Sequence, residues 1–450
     1  MSETPNFRWK NWNGNLTCVA DLHRPHNLED LQKAVRRASS KGRIRVAGNS
    51  CSWSPLVPTS GSLIGLERMD KVLAVDHNPA EPSITVECGI SMRDLVTKTH
   101  KEGLSLISPT IFQGIAIGGA VGVGAHGTGL GASTLSDDIL ELTLVKPDGE
   151  ILRLGQDQIR LLDAARVSLG TLGAIYSVKL RCAEAFNVNV EDRFMPIDEV
   201  LDGLDDILAS YHYVELYWFP FSETMWVKLM NRTQEPSALV TWQQRRKAAI
   251  DYVCTMASGR YIIPFIANYL PGLTPLAMRF APFFAVTPGI TVSPANVEFH
   301  YQKAYPKCWD MSWGVPIPDT KEAWKRSMKI VEQYARDHKY PVNMVVHCRF
   351  IGASTGWLSP AYDRPICDIE IVTCKGTPGI EDFYQSYTGE MLAFPGARPH
   401  WGKYILSPRE IRARYPKMEE FLALRAQMDP DGLFLNDFLE DAVFQLRPGK

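Results

Sequence analysis

The sequence predicts an α+β fold in more than one domain, and three observations carry that expectation. The chain has 450 residues, whereas a single hydrophobic core stops growing near roughly 250 to 300. Through residues 1–184 short apolar runs follow one another closely, broken by two glycine-rich loops about 70 residues apart. After residue 184 the glycine clusters disappear and tryptophan, tyrosine and proline become frequent, which marks a second domain over 185–405 and a closing segment over 406–450.

In chain order, residues 28–40 (LEDLQKAVRRASS) place apolar side chains at helical spacing behind a Pro-His-Asn entry, and IRVAG over 44–48 is a short strand ending on glycine. SLIGL, KVLAVD and SITVECG are further strands, the last followed by a helix in SMRDLVTKTHKEG. The run 115–131 (IAIGGAVGVGAHGTGLG) holds seven glycines in 17 residues. Glycine permits positive φ and lets main-chain N–H groups approach an anion with no Cβ in the way. DDILELTLVKPDGEILRL reads as two strands joined by a Pro-Asp-Gly turn, and VSLGTLGAIYSVKLRC as a glycine-punctuated turn and strand. In the second domain KEAWKRSMKIVEQYARDH is a helix; EIRARYPKMEEFLALRAQ supplies one more near the end.

Composition narrows the function classes. A formal charge of −2 and no basic stripe argue against a nucleic-acid partner and for a small-molecule substrate. Nine cysteines with no CxxC pair fit free thiols in a reducing cytoplasm and give no metal-ligand spacing. The first residues carry no apolar signal segment. Residues 261–292 are apolar, but five prolines and Arg279 argue against a spanning helix. This stretch is expected in the core of the second domain; a surface-seeking flap with peripheral membrane contact is the disfavoured alternative.

GVGAHG over 122–127 satisfies GxGxxG, yet it is not in the first βαβ unit and no helical face follows it, which speaks against a nicotinamide-dinucleotide site. RVAGNSCS, SITVECGISMRDL and GGAVGVGAHGTG instead resemble the flavin-binding domain of the vanillyl-alcohol-oxidase type, the PCMH-type fold of two subdomains joined to an α+β cap. RPHWGK over 398–403, DPDGLFLND over 429–437, VHCRF over 346–350 and WLSPAYDR over 357–364 are similar to motifs of the aldonolactone oxidase and alditol oxidase branch. The resemblance implies FAD. It would be held by Arg45, Gly48, Asn49, Ser50, Cys51 and Ser52 of one loop, by Gly118, Gly119, Gly122, Gly124, His126, Gly127, Thr128 and Gly129 of the other, and by Asn436. The segment 406–450 would return to the FAD-binding domain.

Two positions depart from the branch. Members that bind FAD covalently use a histidine where this chain has Cys51, so FAD is expected to bind noncovalently, with a cysteinyl link as the alternative. Where members have a glutamate two residues before the arginine, this chain has His347 before Arg349. On a strand, residues i and i+2 face one side, so these two and Lys403 are the candidate catalytic group. Arg349 and Lys403 would stabilise developing negative charge, and His347 would accept a hydroxyl proton. The implied activity is oxidation of a CH–OH group of a sugar-derived lactone, polyol or related molecule, with dioxygen or another acceptor. Loss of the glutamate suggests a substrate with fewer hydroxyls. A flavin-binding protein without redox catalysis is the rival reading.

Overall fold

The computed structural model describes residues 2–237, 257–299 and 307–447. Near the N-terminus, Ser2–Lys10, Thr17–Arg24, Ser62–Gly65 and Ile44–Ala47 form a four-stranded sheet, antiparallel in its first pair and parallel in the other two. Val72–Asp76, Ser83–Glu87, Ala174–Arg181, Ile139–Val145 and Ile151–Leu154 form a five-stranded antiparallel sheet. The helix Leu28–Ser39 starts where the Asn27 side chain accepts from the Asp30 N–H. It buries Leu31, Ala34, Val35 and Ala38, the spacing that its sequence announces. In the Pro-Asp-Gly turn Gly149 has φ +80°, and a Cβ there would stand 2.5 Å from the Arg36 side chain, so the position requires glycine.

One hydrophobic core runs through both sheets and continues into the C-terminal stretch, where Ile411, Phe421, Phe434 and Phe444 are buried with it. Trp357, Leu358 and Trp401 also pack in this core, although the sequence division at 185 and 405 assigns them to the second domain. The chain therefore re-enters the first core before residue 405.

A second core belongs to an eight-stranded antiparallel sheet in the order Gly289–Pro294, Asn187–Pro196, Thr224–Thr233, Tyr213–Trp218, Val346–Ile351, Ile366–Cys374, Cys308–Pro316, Arg398–Pro399. The helices Thr320–Arg336 and Ile380–Leu392 cover one of its faces. Val214, Leu216, Cys348, Phe350, Ile369, Ile371, Met311 and Trp313 join Trp324 and Phe383 in that core. Strand alternation then turns Glu215, Tyr217, His347, Arg349, Asp368, Glu370, Asp310 and Ser312 to the other face. That face is polar although it is buried, and it looks toward the first body: the Arg349 guanidinium donates to the His126 carbonyl at 2.9 Å.

The expectation for 261–292 is corrected. The helices Ile263–Tyr269 and Thr274–Ala285 lie on the surface, with Tyr261, Phe265, Tyr269, Phe280 and Phe283 each more than half exposed. Apolar composition implies a hydrophobic surface but not the side to which it turns, and here prolines cut the stretch into pieces that lie outside either core.

Candidate active site

A cavity of about 280 Å³ opens between the two bodies. One wall is the loop Gly48–Ser54 together with Gly118, Gly119, Ala120 and Gly122; the other is Asp310, His347, Arg349, Glu370, His400 and Lys403. The loop is held open by its own bonds. Ser50 has φ +57°, and its hydroxyl accepts from the Trp9 indole at 2.9 Å. Asn49 donates to the Gly114 carbonyl at 2.8 Å. A Cβ on Gly48 would stand 2.7 Å from that of Ala116, so the two chain segments approach each other as closely as glycine allows. A Cβ on Gly119 would meet nothing within 4 Å, because this position faces the open cavity.

The polar wall is organised around a residue that the sequence reading missed. Glu370 lies opposite His347 in the register of the two adjacent strands. One of its carboxylate oxygens is 2.9 Å from His347 Nε2 and 3.0 Å from an Arg349 terminal nitrogen. The other meets Lys403 Nζ, which also contacts Asp310. Burial alone would raise the Glu370 pKa, but Lys403, His347 and Arg349 hold it well below the usual carboxylate range. Asp310 is pushed the other way, first by burial and then by the charge of Glu370. The pair is thus pushed apart, Glu370 toward its anion and Asp310 toward its acid. Asp310 Oδ1 and Arg349 Nε are buried without a hydrogen-bond partner among the described residues, so both remain available to a bound molecule.

Sequence-read residues fall into three groups. His347, Arg349 and Lys403 are brought together as expected. Gly48, Asn49, Ser50, Cys51, Ser52, Gly118, Gly119, Gly122 and His126 line the cavity. Arg45 lines it too, but its guanidinium is used internally, donating to the carbonyls of Leu56, Leu169, Gly170 and Phe434. Gly124, Gly127, Thr128, Gly129 and Asn436 stand outside the lining of this cavity. Thr128 donates to the Val214 carbonyl at 2.6 Å. A Cβ on Gly127 would strike Ser108 and Pro109, and one on Gly129 would strike Tyr213. Asn436 braces the first loop by donating to Pro55 and Pro58. These positions serve close packing at the seam.

The nearby pair His126 and His400 is framed by Asp368, whose carboxylate is 3.5 Å from His126 Nε2 and accepts from Ser312 at 2.6 Å. His400 is driven down to about 3 by burial, with the neighbouring His126 adding to the effect. Cys51 projects its thiol toward the Asn49 and Gly114 carbonyls at 3.4 and 3.7 Å, and burial pushes it up to about 12.

Comparison with known proteins agrees with this geometry. Residues 178–442 match the family model of D-arabinono-1,4-lactone oxidase, and residues 21–155 match that of an FAD-binding domain. The chain is 29% identical to L-gulonolactone oxidase of Mus musculus, over 97% of this chain and 98% of that one. It is 28% identical to L-gulono-1,4-lactone dehydrogenase of Mycobacterium tuberculosis, over 96% and 97%. The crystal structure of cholesterol oxidase from B. sterolicum superposes with a TM-score of 0.80 at 17% identity, covering 98% of this chain and 97% of the other. That likeness establishes the shared fold. FAD is the cofactor, and the cavity fits it: Gly119 leaves open space in one wall, and the orphaned polar atoms of Asp310 and Arg349 lie on the opposite wall.

Proposed function

The chain belongs to the D-arabinono-1,4-lactone oxidase family, and from that premise we propose that it oxidises a hydroxyl-bearing carbon of an aldono-1,4-lactone with dioxygen as the electron acceptor. It is an FAD-dependent oxidoreductase acting on CH–OH groups of sugar-derived substrates. Bound FAD supplies the two-electron acceptor for the hydrogen on the substrate carbon. The protein supplies orientation, charge and a place for the hydroxyl proton.

The observation that carries the site assignment is the contact between His347 Nε2 and the Glu370 carboxylate. An ionised carboxylate accepts from the protonated ring nitrogen, which fixes the tautomer and leaves Nδ1 as the basic atom. Nδ1 meets no hydrogen-bond partner among the described residues. His347 is therefore the proposed base and Glu370 its positioning partner, with Tyr217 stacked 5.4 Å from the imidazole to hold its plane. Arg349 and Lys403 stabilise the alkoxide character that develops as the proton leaves. Asp310, pushed toward its acid form and with Oδ1 free of partners among the described residues, is placed to donate to a substrate oxygen. The expectation of a substrate poor in hydroxyls loses its premise, since Glu370 returns a carboxylate to the wall from the neighbouring strand.

Cys88, Cys348 and Cys367 are buried free thiols, which supports a reducing, cytoplasmic compartment. Similarity to the M. tuberculosis dehydrogenase equals that to the mouse oxidase within one per cent of identity, so a second reading, with an acceptor other than dioxygen, is carried beside the first. Anaerobic titration with L-gulono-1,4-lactone should bleach the flavin absorbance, and readmitted air should restore it. Bleaching by lactone without recovery in air would favour the dehydrogenase; no bleaching by any aldonolactone would refute the substrate class.

A further inference from the structure

Lys403 carries a compact charge on a flexible four-carbon stem, and such an ammonium serves a site only when it is held in place. Asp310 and Glu370, on adjacent strands of the eight-stranded sheet, each accept from its Nζ. The Trp53 ring supplies a third contact, with its centroid 5.0 Å from Nζ. An indole face is the best cation–π partner among side chains, and the attraction grows where water is excluded. Trp53 belongs to the opposite wall of the cavity, two residues beyond Cys51. Its backbone N–H donates to the Gly402 carbonyl at 2.9 Å and its indole N–H to the Cys308 carbonyl at 2.7 Å. The residue is thus bonded to the chain immediately before Lys403 and to the strand that carries Asp310. Ser52 donates to the same Gly402 carbonyl at 3.2 Å. Trp12 packs edge-on against the ring, centroids 5.8 Å apart at 78°, and Asn15 donates to the Trp53 carbonyl at 3.1 Å. These contacts set the plane of the ring. A brace between the two bodies needs only the N–H bonds; it does not need an aromatic face turned to an ammonium.

We propose that Trp53 is the positioning residue of Lys403: its ring face fixes the ammonium, and its two N–H groups fix the ring to the wall that carries the lysine. The loop that borders the cofactor and the lysine of the opposite wall are then one mechanical unit. Each hydride that leaves a substrate carbon brings one negative charge into the cavity, while the hydroxyl proton goes to His347. An ammonium held at one place stabilises that charge as it arrives, and one that swings on its stem does so less. This role rests on the reading that Lys403 assists oxidation of a CH–OH group.

The test is a double-mutant cycle of Trp53→Leu and Lys403→Met in the FAD-loaded protein, read by the rate of anaerobic flavin reduction with L-gulono-1,4-lactone and by the midpoint potential of bound FAD. Trp53→Leu alone should slow reduction by roughly tenfold and lower the potential by a comparable factor, about 30 mV per tenfold for a two-electron couple. In the Lys403→Met background the same substitution should change either quantity by less than about twofold, because the group it positions is gone. Trp53→Phe, which keeps a ring and loses the indole N–H, should be slowed less than Trp53→Leu. A fluorinated tryptophan placed at position 53 keeps the shape and both N–H groups while weakening the ring face, so it should slow reduction even if a leucine variant does not fold. Equal losses from Trp53→Leu in both backgrounds mark a general brace and overturn the proposal. So do an unchanged rate and potential in Trp53→Leu, or an unchanged rate and potential with the fluorinated ring. The potential is read with dithionite and no lactone, so it decides the proposal whether or not the substrate reading stands.

Discussion

Glu370 lies one strand away from the residues whose spacing announces the site, yet it touches three of the groups that matter. Buried charges of one sign are costly unless paired, and Arg349 and Lys403 are buried together. Glu370 lets both remain charged in the cleft, while burial and the charge of Glu370 push Asp310 toward its acid form. Cys51 shows the same control by burial. A thiol pushed up to about 12 is protonated at neutral pH and a weak nucleophile, so FAD should bind noncovalently. Acid precipitation is expected to leave the yellow colour in the supernatant; colour retained in the pellet, and released in Cys51→Ala, would establish a thioether. His400 gives a stability prediction. Its folded pKa, about 3, lies below the unfolded value of about 6.5, so the unfolded chain binds the extra proton between these values. Stability should fall as pH drops from above 6.5 toward 3, by on the order of a few kcal/mol from this group. Denaturant midpoints at pH 7 and 4.5 should differ less in His400→Gln than in wild type, and an equal difference would remove His400 from the acid response. At this scale the sequence was half legible. His347 and Arg349 share a face by the period of a strand, whereas Glu370 reaches them through pairing with a strand about twenty residues on, and no spacing rule encodes which strands become neighbours.

Among the elements, the glycine loop and the central strands show how local pattern becomes a site. The short helix Ile117–Gly122 turns Gly119 into the cavity, where a Cβ would find only open space. Gly119→Ala should then fold and retain FAD to a measurable degree. Gly119→Leu should fold with a near-normal melting temperature but purify with its flavin content reduced by roughly tenfold or more, since the larger side chain occupies the cofactor's volume. Full flavin in the leucine variant would show that this wall is not the cradle. The helices Leu28–Ser39 and Thr320–Arg336 were readable because each buries one stripe at helical spacing. The stretch 261–292 was not, since an apolar stretch on the surface and one facing a core have the same composition. The second glycine run was only partly readable: Gly119 borders the open cavity, whereas Gly127 and Gly129 allow the close approach of two chain segments, and the letter is the same.

For the molecule as a whole, the site exists only because two cores are held against each other. Trp53 donates from the glycine-side loop to the Cys308 carbonyl at 2.7 Å, and the Gly129 N–H to the Phe350 carbonyl at 2.6 Å. Trp401, between His400 and the loop that carries Lys403, is buried in the first core, so folding of the tail and placement of the lysine are one event. The sequence announced two bodies, a glycine cradle and a cationic pair; what it withheld was the polar inner face of the eight-stranded sheet, which forms by alternation across four strands far apart in the chain. The central claim is that Glu370, held toward its anion, positions His347 as base beside Arg349 and Lys403, while Asp310 is pushed toward its acid form. It is tested most directly by the rate of anaerobic flavin reduction by L-gulono-1,4-lactone in Glu370→Gln and Asp310→Asn, compared with wild type in a stopped-flow instrument. The expected result is a fall on the order of 10²-fold in Glu370→Gln, with FAD still bound, and less than about fivefold in Asp310→Asn, whose neutral side chain keeps a donor. Equal rates in Glu370→Gln and wild type, or a larger loss in Asp310→Asn than in Glu370→Gln, would contradict it.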